Sequence, residues 1–413
     1  MLAAMDGAES RHAAPRTRLG ALRDAAWLNP ARLRAYGWML LLGQAVVAAS
    51  VLFGDGLLDR AGNPVGTDFS SFWTASRLAL SGTPLLAWDP AAHHAAQRAL
   101  FGAEVPYFAF FYPPPFLLAC LPLALLPYGW SLAGWILATL AAWVAALRAL
   151  LPGRWALLAM LAFPAGWVNA THGQNGFLTA ALFAAAALAL DRRAWLAGLC
   201  IGALVIKPHL AVAIPLALVV TGRWGAFVAA ALAGLGMLGL SWLAFGEAGW
   251  QAFLGTSALA RETLESGLVE PGKMVSVFAA ARLLGAGVPL AWAAQATAAL
   301  AAAAVLALAL RRAAGGVAAL SVAAAATPLM SPFLLDYDLL LLGLPMAWVT
   351  AQALRDGFLP WEKVVLAAAF VLPLVARPVA LSLGVPLAPA VAAVLFLVVA
   401  RRAAVQRSRW PGA

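Results

Sequence analysis

The chain has 413 residues, of which 64% are hydrophobic and 11% charged. A soluble domain usually carries about 25% charged residues, so this sequence cannot cover a water-facing surface, which excludes a soluble enzyme and a disordered scaffold. The net charge of +10 does not point to nucleic acid, because the basic residues fall in short clusters between apolar runs with no aromatic platform among them.

Residues 1–35 form a basic segment carrying Arg11, Arg16, Arg18, Arg23, Arg32 and Arg34. It predicts a cytoplasmic N-terminus ahead of an uncleaved first span over 36–53. A polar stretch occupies 54–112. A spanning helix needs about 20 mostly apolar residues, fewer when flanking side chains snorkel. Further spans are expected near 128–148, 154–170, 176–190, 194–207, 208–221, 224–244, 288–310, 315–334, 338–354, 362–376 and 384–400. A basic tail, 401–413, closes the chain. The N-terminal segment and the tail suit contact with anionic lipid headgroups.

Segment 113–126 decides the topology. It is apolar but only about 21 Å long at 1.5 Å per residue, and it lies between Pro113-Pro114-Pro115 and Pro127. If it crossed, every later loop would change side. If it is re-entrant, there are about twelve spans, both termini are cytoplasmic, and most Lys and Arg face the cytoplasm, as the positive-inside rule favours. Backbone at membrane depth that does not cross is tolerated where it lines a cavity, so a cavity is expected here. The domain reading is therefore an all-α polytopic membrane domain over 36–400. Its first outer loop, 54–127, carries interfacial and re-entrant helices, and a second outer loop covers 246–287.

The first loop is rich in aromatic residues, including Phe69, Phe72, Trp73, Trp88, Phe101, Tyr107, Phe110 and Phe111. Apolar residues at helical spacing from Asp68 to Ser81, ended by Gly82, predict an amphipathic helix lying at the outer surface. Asp68 falls at the start of that helix, where a carboxylate commonly caps. Cys120 and Cys200 sit in apolar stretches and read as packed thiols.

Other polar residues collect at outer helix ends: Thr171-His172-Gly173-Gln174-Asn175-Gly176, Lys207-Pro208-His209, Ser331-Pro332, Asp336-Tyr337-Asp338 and Arg377-Pro378. Each has a plain explanation. Asn-Gly makes a turn, Lys207 can snorkel, Arg377 can anchor a helix end, and Asp336 and Asp338 can cap. Together they mark a path for substrate, because polar groups near the bilayer are costly. Cations at Lys207, Arg377 and Arg77, with carboxylates at Asp68, Asp336 and Asp338, suit an anionic substrate and a proton acceptor. Asp336 and Asp338 also fit a short metal-chelating pattern, a weak signal without a nucleotide-binding domain or a Gly-rich phosphate loop.

These residues resemble, in order, a bacterial glycosyltransferase family 87 protein of the GT-C superfamily. The ordered set is Gly66-Thr67-Asp68-Phe69-Ser70-Ser71-Phe72-Trp73, Phe110-Phe111-Tyr112-Pro113-Pro114, Leu125-Leu126-Pro127, Gly173-Gln174-Asn175-Gly176, Lys207-Pro208, and Ser331-Pro332 with Tyr337-Asp338. The resemblance covers nearly the whole of 36–400 and implies a GT-C-type helical bundle. It also implies a transferase that uses a polyprenyl-phosphate sugar at the outer face of the bacterial inner membrane, similar to mycobacterial α-mannosyltransferases of phosphatidylinositol mannoside synthesis. In those relatives the catalytic acidic residue is an Asp of the first outer loop, which corresponds to Asp68.

The chemistry expected on this resemblance is that of a hexosyltransferase, with mannose favoured over other hexoses or a pentose. An inverting displacement would be assisted by Asp68 as base. Arg77, Tyr112, His172, Gln174, Asn175, Lys207, His209, Tyr337, Asp338 and Arg377 would line the substrate site, with Lys207 foremost against the leaving phosphate. The expected partners are membrane lipids, the lipid-linked sugar donor and a lipid or glycan acceptor. No cofactor or metal is required, Asp336 and Asp338 remaining the metal alternative. An apolar groove beside 113–126 would hold the polyprenyl chain. The main competing reading is a secondary transporter or lipid flippase with an outward-facing vestibule. Against it, no half-to-half repeat is visible and the span centres carry almost no ionisable groups.

Overall fold

The structure, a computed structural model, describes residues 18–52, 54, 56–311 and 315–408. The expected contributions of Arg11, Arg16, Phe53, Arg312 and Arg409 lie outside the described residues. Among those described, the chain is helical with no strand beyond two isolated bridges, Leu58 to Pro64 and Met274 to Leu335. Six helical segments are long and apolar enough to cross a bilayer: Tyr128–Leu150, Trp224–Ser266, Val288–Leu310, Asp336–Asp356, Glu362–Leu383 and Leu387–Val405. Large apolar side chains stand exposed along them, Leu137, Leu243, Leu300 and Leu397 among others. Such a surface is stable only against lipid or protein, and the chain is a transmembrane protein.

Several expected spans are interrupted instead of continuous. The 154–170 segment divides into Arg154–Ala162 and Pro164–His172. Phe163 precedes a proline and adopts an extended backbone (φ −67°, ψ 117°), as pre-proline residues prefer. The break frees the Ala162 carbonyl, and Gln44 of helix Pro30–Leu52 donates to it at 3.0 Å. Proline likewise opens helices Pro208–Ala211 and Ile214–Val220. The shorter apolar stretches Pro114–Leu125, Gly176–Ala189, Ala194–Ile206, Pro208–Val220 and Gly316–Met330 pack among the longer helices. Gly316–Met330 is the central one. Its residues 318–329 are all buried, and their mostly small side chains let neighbouring helices come close.

The first loop folds into a compact unit of its own. Helix Thr67–Leu80 runs through its middle, and residues 69–76 are all buried. The helix is therefore enclosed, where the sequence led us to expect one lying on the membrane surface. Phe72 packs edge-on against Phe110, Tyr112 and Phe116, at ring separations of 6.5, 5.2 and 4.9 Å. Gln97 takes both backbone groups of Phe108, giving Nε2–H to its oxygen at 2.8 Å and accepting its N–H at 3.1 Å. Trp88 Nε1 donates to the Tyr112 carbonyl at 2.9 Å. These bonds tie the irregular 102–113 segment to helix Pro90–Phe101 and to Trp88. Segment 113–126 forms only Pro114–Cys120 and Leu121–Leu125. Cys120 and Cys200 are both free thiols.

The second loop is more helical than expected. Trp224–Ser266 continues through the first half of it, interrupted at Gly246 (φ 65°, ψ −174°). Beyond that break, Thr256 Oγ1 donates to the Trp88 carbonyl at 2.9 Å and ties the two loops together. At the other end of the bundle the basic tail is not free. Helix Leu387–Ser408 carries Arg401 and Arg402 back onto the buried Glu362, Pro360 and Gly357.

Candidate functional site

The polar residues meet where the first-loop unit rests on the bundle. Helix Thr67–Leu80 starts at Gly66, which is left-handed (φ 73°), and no side chain caps it. Tyr128 Oη donates to the Val65 carbonyl at 2.6 Å and fixes that start. Asp68, in the first turn, is half-buried. Its carboxylate is not used as a cap. Oδ2 instead accepts from Gln174 Nε2 at 3.0 Å.

Gln174 stands on the 173–176 turn between helices Pro164–His172 and Gly176–Ala189. Gly173 is left-handed (φ 60°), and a Cβ there would fall 2.5 Å from Phe69 Cβ. At Gly176 a Cβ would fall 2.5 Å from Asn169 Oδ1 and 3.0 Å from the Tyr337 carbonyl oxygen. Both glycines are required by close approach. Trp135 Nε1 donates to the Gly173 carbonyl at 3.1 Å, and Gly176 N–H donates to Asn169 Oδ1 at 2.8 Å. Asn169, fully buried, is a positioning residue that the sequence did not single out. Its place one helical turn before the Gly-Gln-Asn-Gly run was the available signal.

Tyr112 Oη donates to Gln174 Oε1 at 2.9 Å, and Gln174 Nε2 donates to Tyr337 Oη at 3.3 Å. Burial, and then the Asp68 charge, push the Tyr112 phenol well above its ordinary pKa, so it remains a donor. Beside Tyr337 lies a buried ion pair. Lys207 Nζ stands 2.5 Å from Asp338 Oδ1, with side chains 5% and 1% exposed. Lys207 also donates to Asn175 Oδ1 at 3.3 Å and lies 4.8 Å from the Tyr337 ring centroid. Asn175 Nδ2 is buried without a partner among the described residues.

A second patch adjoins this one. Arg377 Nη1 lies 3.6 Å from Asp336 Oδ2, and the arginine side chain keeps 35% of its exposure. His172 packs against the Tyr337 ring at 6.0 Å and donates Nδ1–H to the Val168 carbonyl at 2.8 Å. That tautomer leaves Nε2 as an acceptor when the ring is neutral. Among the described residues no group of three or more His, Cys, Asp or Glu is placed to hold a metal. Asp336 and Asp338 are instead engaged by Arg377 and Lys207.

The structure thus gathers Asp68, Tyr112, Gln174, Asn175, Lys207, Tyr337 and Asp338, with His172, Asp336 and Arg377 beside them. It does not bring in Arg77, which is exposed near the far end of its helix and stacks over Trp73 at 5.7 Å. His209 comes two residues after Lys207, but its ring faces Phe333 at 6.1 Å and makes no bond in the network. Lys207, the expected phosphate anchor, is committed to Asp338, and Arg377 is the more open cation.

Fold and site together define a helical transmembrane protein with a carboxylate-bearing polar site at the base of a folded loop. The model of glycosyltransferase family 87 matches residues 110–332, just over half of the chain. The chain belongs to that family and is a membrane glycosyltransferase. The matched region includes Tyr112, His172, Gln174, Asn175 and Lys207, while Asp68, Tyr337, Asp338 and Arg377 lie outside it. Neither the curated proteins nor the solved structures compared with the chain gave a match.

Proposed function

We propose that the protein transfers a hexose, mannose first among them, or a pentose from a polyprenyl-phosphate sugar to a lipid or glycan acceptor. The reaction takes place at the outer face of the bacterial inner membrane, with about twelve membrane-embedded segments and both termini cytoplasmic. The preference for mannose rests on the likeness to mycobacterial mannosyltransferases. The observation that carries the mechanism is the Asp68 carboxylate, half-buried and held, among the described residues, through one oxygen only.

The acceptor hydroxyl attacks the anomeric carbon as its proton passes to Asp68, and the bond to the phosphate oxygen breaks on the opposite side. Polyprenyl phosphate leaves, and configuration at the anomeric carbon inverts. Fixed cations stabilise the charge that gathers on the leaving phosphate. Arg377 is the open cation, and Lys207 adds its field from within the pair with Asp338. A monophosphate leaving group carries less charge than a nucleoside diphosphate, so these groups serve without a resident metal. The half-buried His172 ring suits a sugar hydroxyl.

The apolar groove that supports a lipid-linked donor is lined by Ile201, Leu204, Pro208, Ile214, Phe227 and Gly234, and takes no residue from 113–126, where the sequence led us to expect it. It reaches Pro208, the residue after Lys207.

The test is transfer of label from polyprenyl-phosphate mannose, glucose or arabinose by the purified protein in nanodiscs. A membrane-lipid extract serves as acceptor, with and without EDTA. Wild type is expected to form product in both conditions and Asp68→Asn in neither. Full turnover by a folded Asp68→Asn protein overturns the assignment, and product that vanishes with EDTA moves the chemistry to Asp336 and Asp338.

A further inference from the structure

The hydrogen-bond valences of Gln174 are fully used inside the protein. Asn175 N–H lies 2.9 Å from one terminal atom of the Gln174 side chain. A backbone N–H only donates, so that atom is the carbonyl oxygen Oε1. This settles the orientation of the amide. The same Oε1 accepts from Tyr112 Oη, which uses its second lone pair. The other end is then the amino group, with two hydrogens. One goes to Asp68 Oδ2 at 3.0 Å and the other to Tyr337 Oη at 3.3 Å. Gln174 is 3% exposed, and no donor or acceptor is left over for a sugar.

From this we infer that Gln174 is not a substrate-binding residue but the positioning residue for Asp68: it fixes Oδ2 and presents Oδ1 to the acceptor hydroxyl. The direction of every bond is set by the single backbone donor at Asn175. Tyr112 and Asn175 hold the amide, and the amide turns the carboxylate. Among the described residues nothing donates to Asp68 Oδ1, as a base awaiting a hydroxyl requires. Tyr337 receives a hydrogen through its oxygen, which leaves its own O–H to donate elsewhere.

This inference rests on Asp68 being the base, and the experiment separates the two. The full chain in nanodiscs is compared as wild type, Asp68→Asn, Gln174→Ala, Gln174→Glu and Tyr112→Phe. The donor is polyprenyl-phosphate mannose. Gln174→Ala is expected to lower kcat by about tenfold to a hundredfold, as loss of alignment does, with donor and acceptor KM changed by less than about twofold. Gln174→Glu keeps the acceptor oxygen but sets a second carboxylate against Asp68. Like charges oppose each other's ionisation, so the acid limb of its pH–rate profile moves up by about one pH unit. Tyr112→Phe removes one of the two bonds that hold the amide and is expected to lower kcat by less than Gln174→Ala, with KM again little changed.

A second measurement needs no substrate. Isotope-edited infrared spectra, with the Asp68 band identified by its loss in Asp68→Asn, are expected to show that band shifted in Gln174→Ala. Raised KM with unchanged kcat in Gln174→Ala, an unmoved acid limb in Gln174→Glu, or an unshifted Asp68 band overturns the inference. If Asp68→Asn turns over normally, the base assignment falls instead, whatever the Gln174 variants do.

Discussion

Lys207 and Asp338 lie 131 residues apart in sequence, yet their charged atoms stand 2.5 Å apart in a nearly dry setting. Asp338 Oδ2 also accepts from Leu335 N–H at 3.2 Å, and Lys207 is steadied by Asn175 Oδ1 at 3.3 Å. The pair joins the turn after helix Ala194–Ala203 to the entry of segment Asp336–Asp356. A buried pair of this kind offsets its own desolvation only while both members are present.

Lys207→Met alone therefore leaves a buried carboxylate without a counter-charge and is expected to cost about 3–5 kcal/mol. Lys207→Met combined with Asp338→Leu is expected to recover most of that stability but not turnover. Thermal unfolding of the four proteins of the cycle, beside their transfer rates, checks both statements. Additive destabilisation in the double variant would show that the two charges do not act as a pair.

Asp68→Asn keeps an acceptor oxygen for Gln174 and should fold normally. Loss of a general base costs about 100-fold to 10,000-fold in rate. The unfolding midpoint should match wild type while kcat falls by that amount.

Arg377→Gln removes the open cation of the second patch and leaves Asp336 unneutralised. A fall in kcat of about a hundredfold is expected if the guanidinium meets the leaving phosphate. Arg377→Lys should recover part of it, since a point charge replaces the fork. Steady-state kinetics with varied donor read this directly.

Gly173→Ala forces a Cβ into Phe69 at a left-handed backbone position. A cost of about 1–3 kcal/mol is expected from strain of this type. Because Phe69 is the residue after Asp68, turnover should fall together with the unfolding midpoint.

His93, on helix Pro90–Phe101 of the first loop, is buried against Tyr107 and Phe110 and gives Nδ1–H to the Ala87 carbonyl at 2.8 Å. Burial lowers its pKa to about 4 from an ordinary 6.5. The unfolded chain then binds more protons, so this group's stabilisation is present above pH 6.5 and is lost as pH falls towards 4. Between pH 7 and pH 5 the loss is about 2 kcal/mol. His93→Phe should flatten that part of the stability-against-pH curve, measured by thermal unfolding of the full chain at each pH.

Much of this was legible in the sequence. Some of the long apolar segments after residue 127, 128–148 and 288–310 among them, reappear as helices near their expected bounds, because apolar length is the strongest signal in a membrane chain. The Gly-Gln-Asn-Gly run and Asp68 met as partners. The breaks at Phe163 and within 208–221 obey proline rules that a count of apolar residues ignores. Arg77 could have been set aside from spacing alone. Nine residues are two and a half helical turns, so it lies opposite Asp68 and about 13 Å along the axis. The burial of the loop helix was hidden because its partners are aromatic residues some 30 to 60 positions away. The charge of Lys207 was visible, but its commitment to Asp338 was not, since no local pattern encodes a contact between two turns so far apart.

The residues of the site come from the whole length of the chain. Asp68 and Tyr112 belong to the first loop, Gln174 and Lys207 to the middle, and Asp338 and Arg377 to the last helices. A ribosome adds them in that order, and each helix enters the bilayer in turn. Until Tyr337 and Asp338 arrive, Lys207 has no counter-ion and the Gln174 amide lacks one of its acceptors. The half-made protein therefore carries Asp68 early but no assembled polar cluster. The cluster closes only when nearly all of the described helices are in place, so its assembly reports the completion of the whole fold.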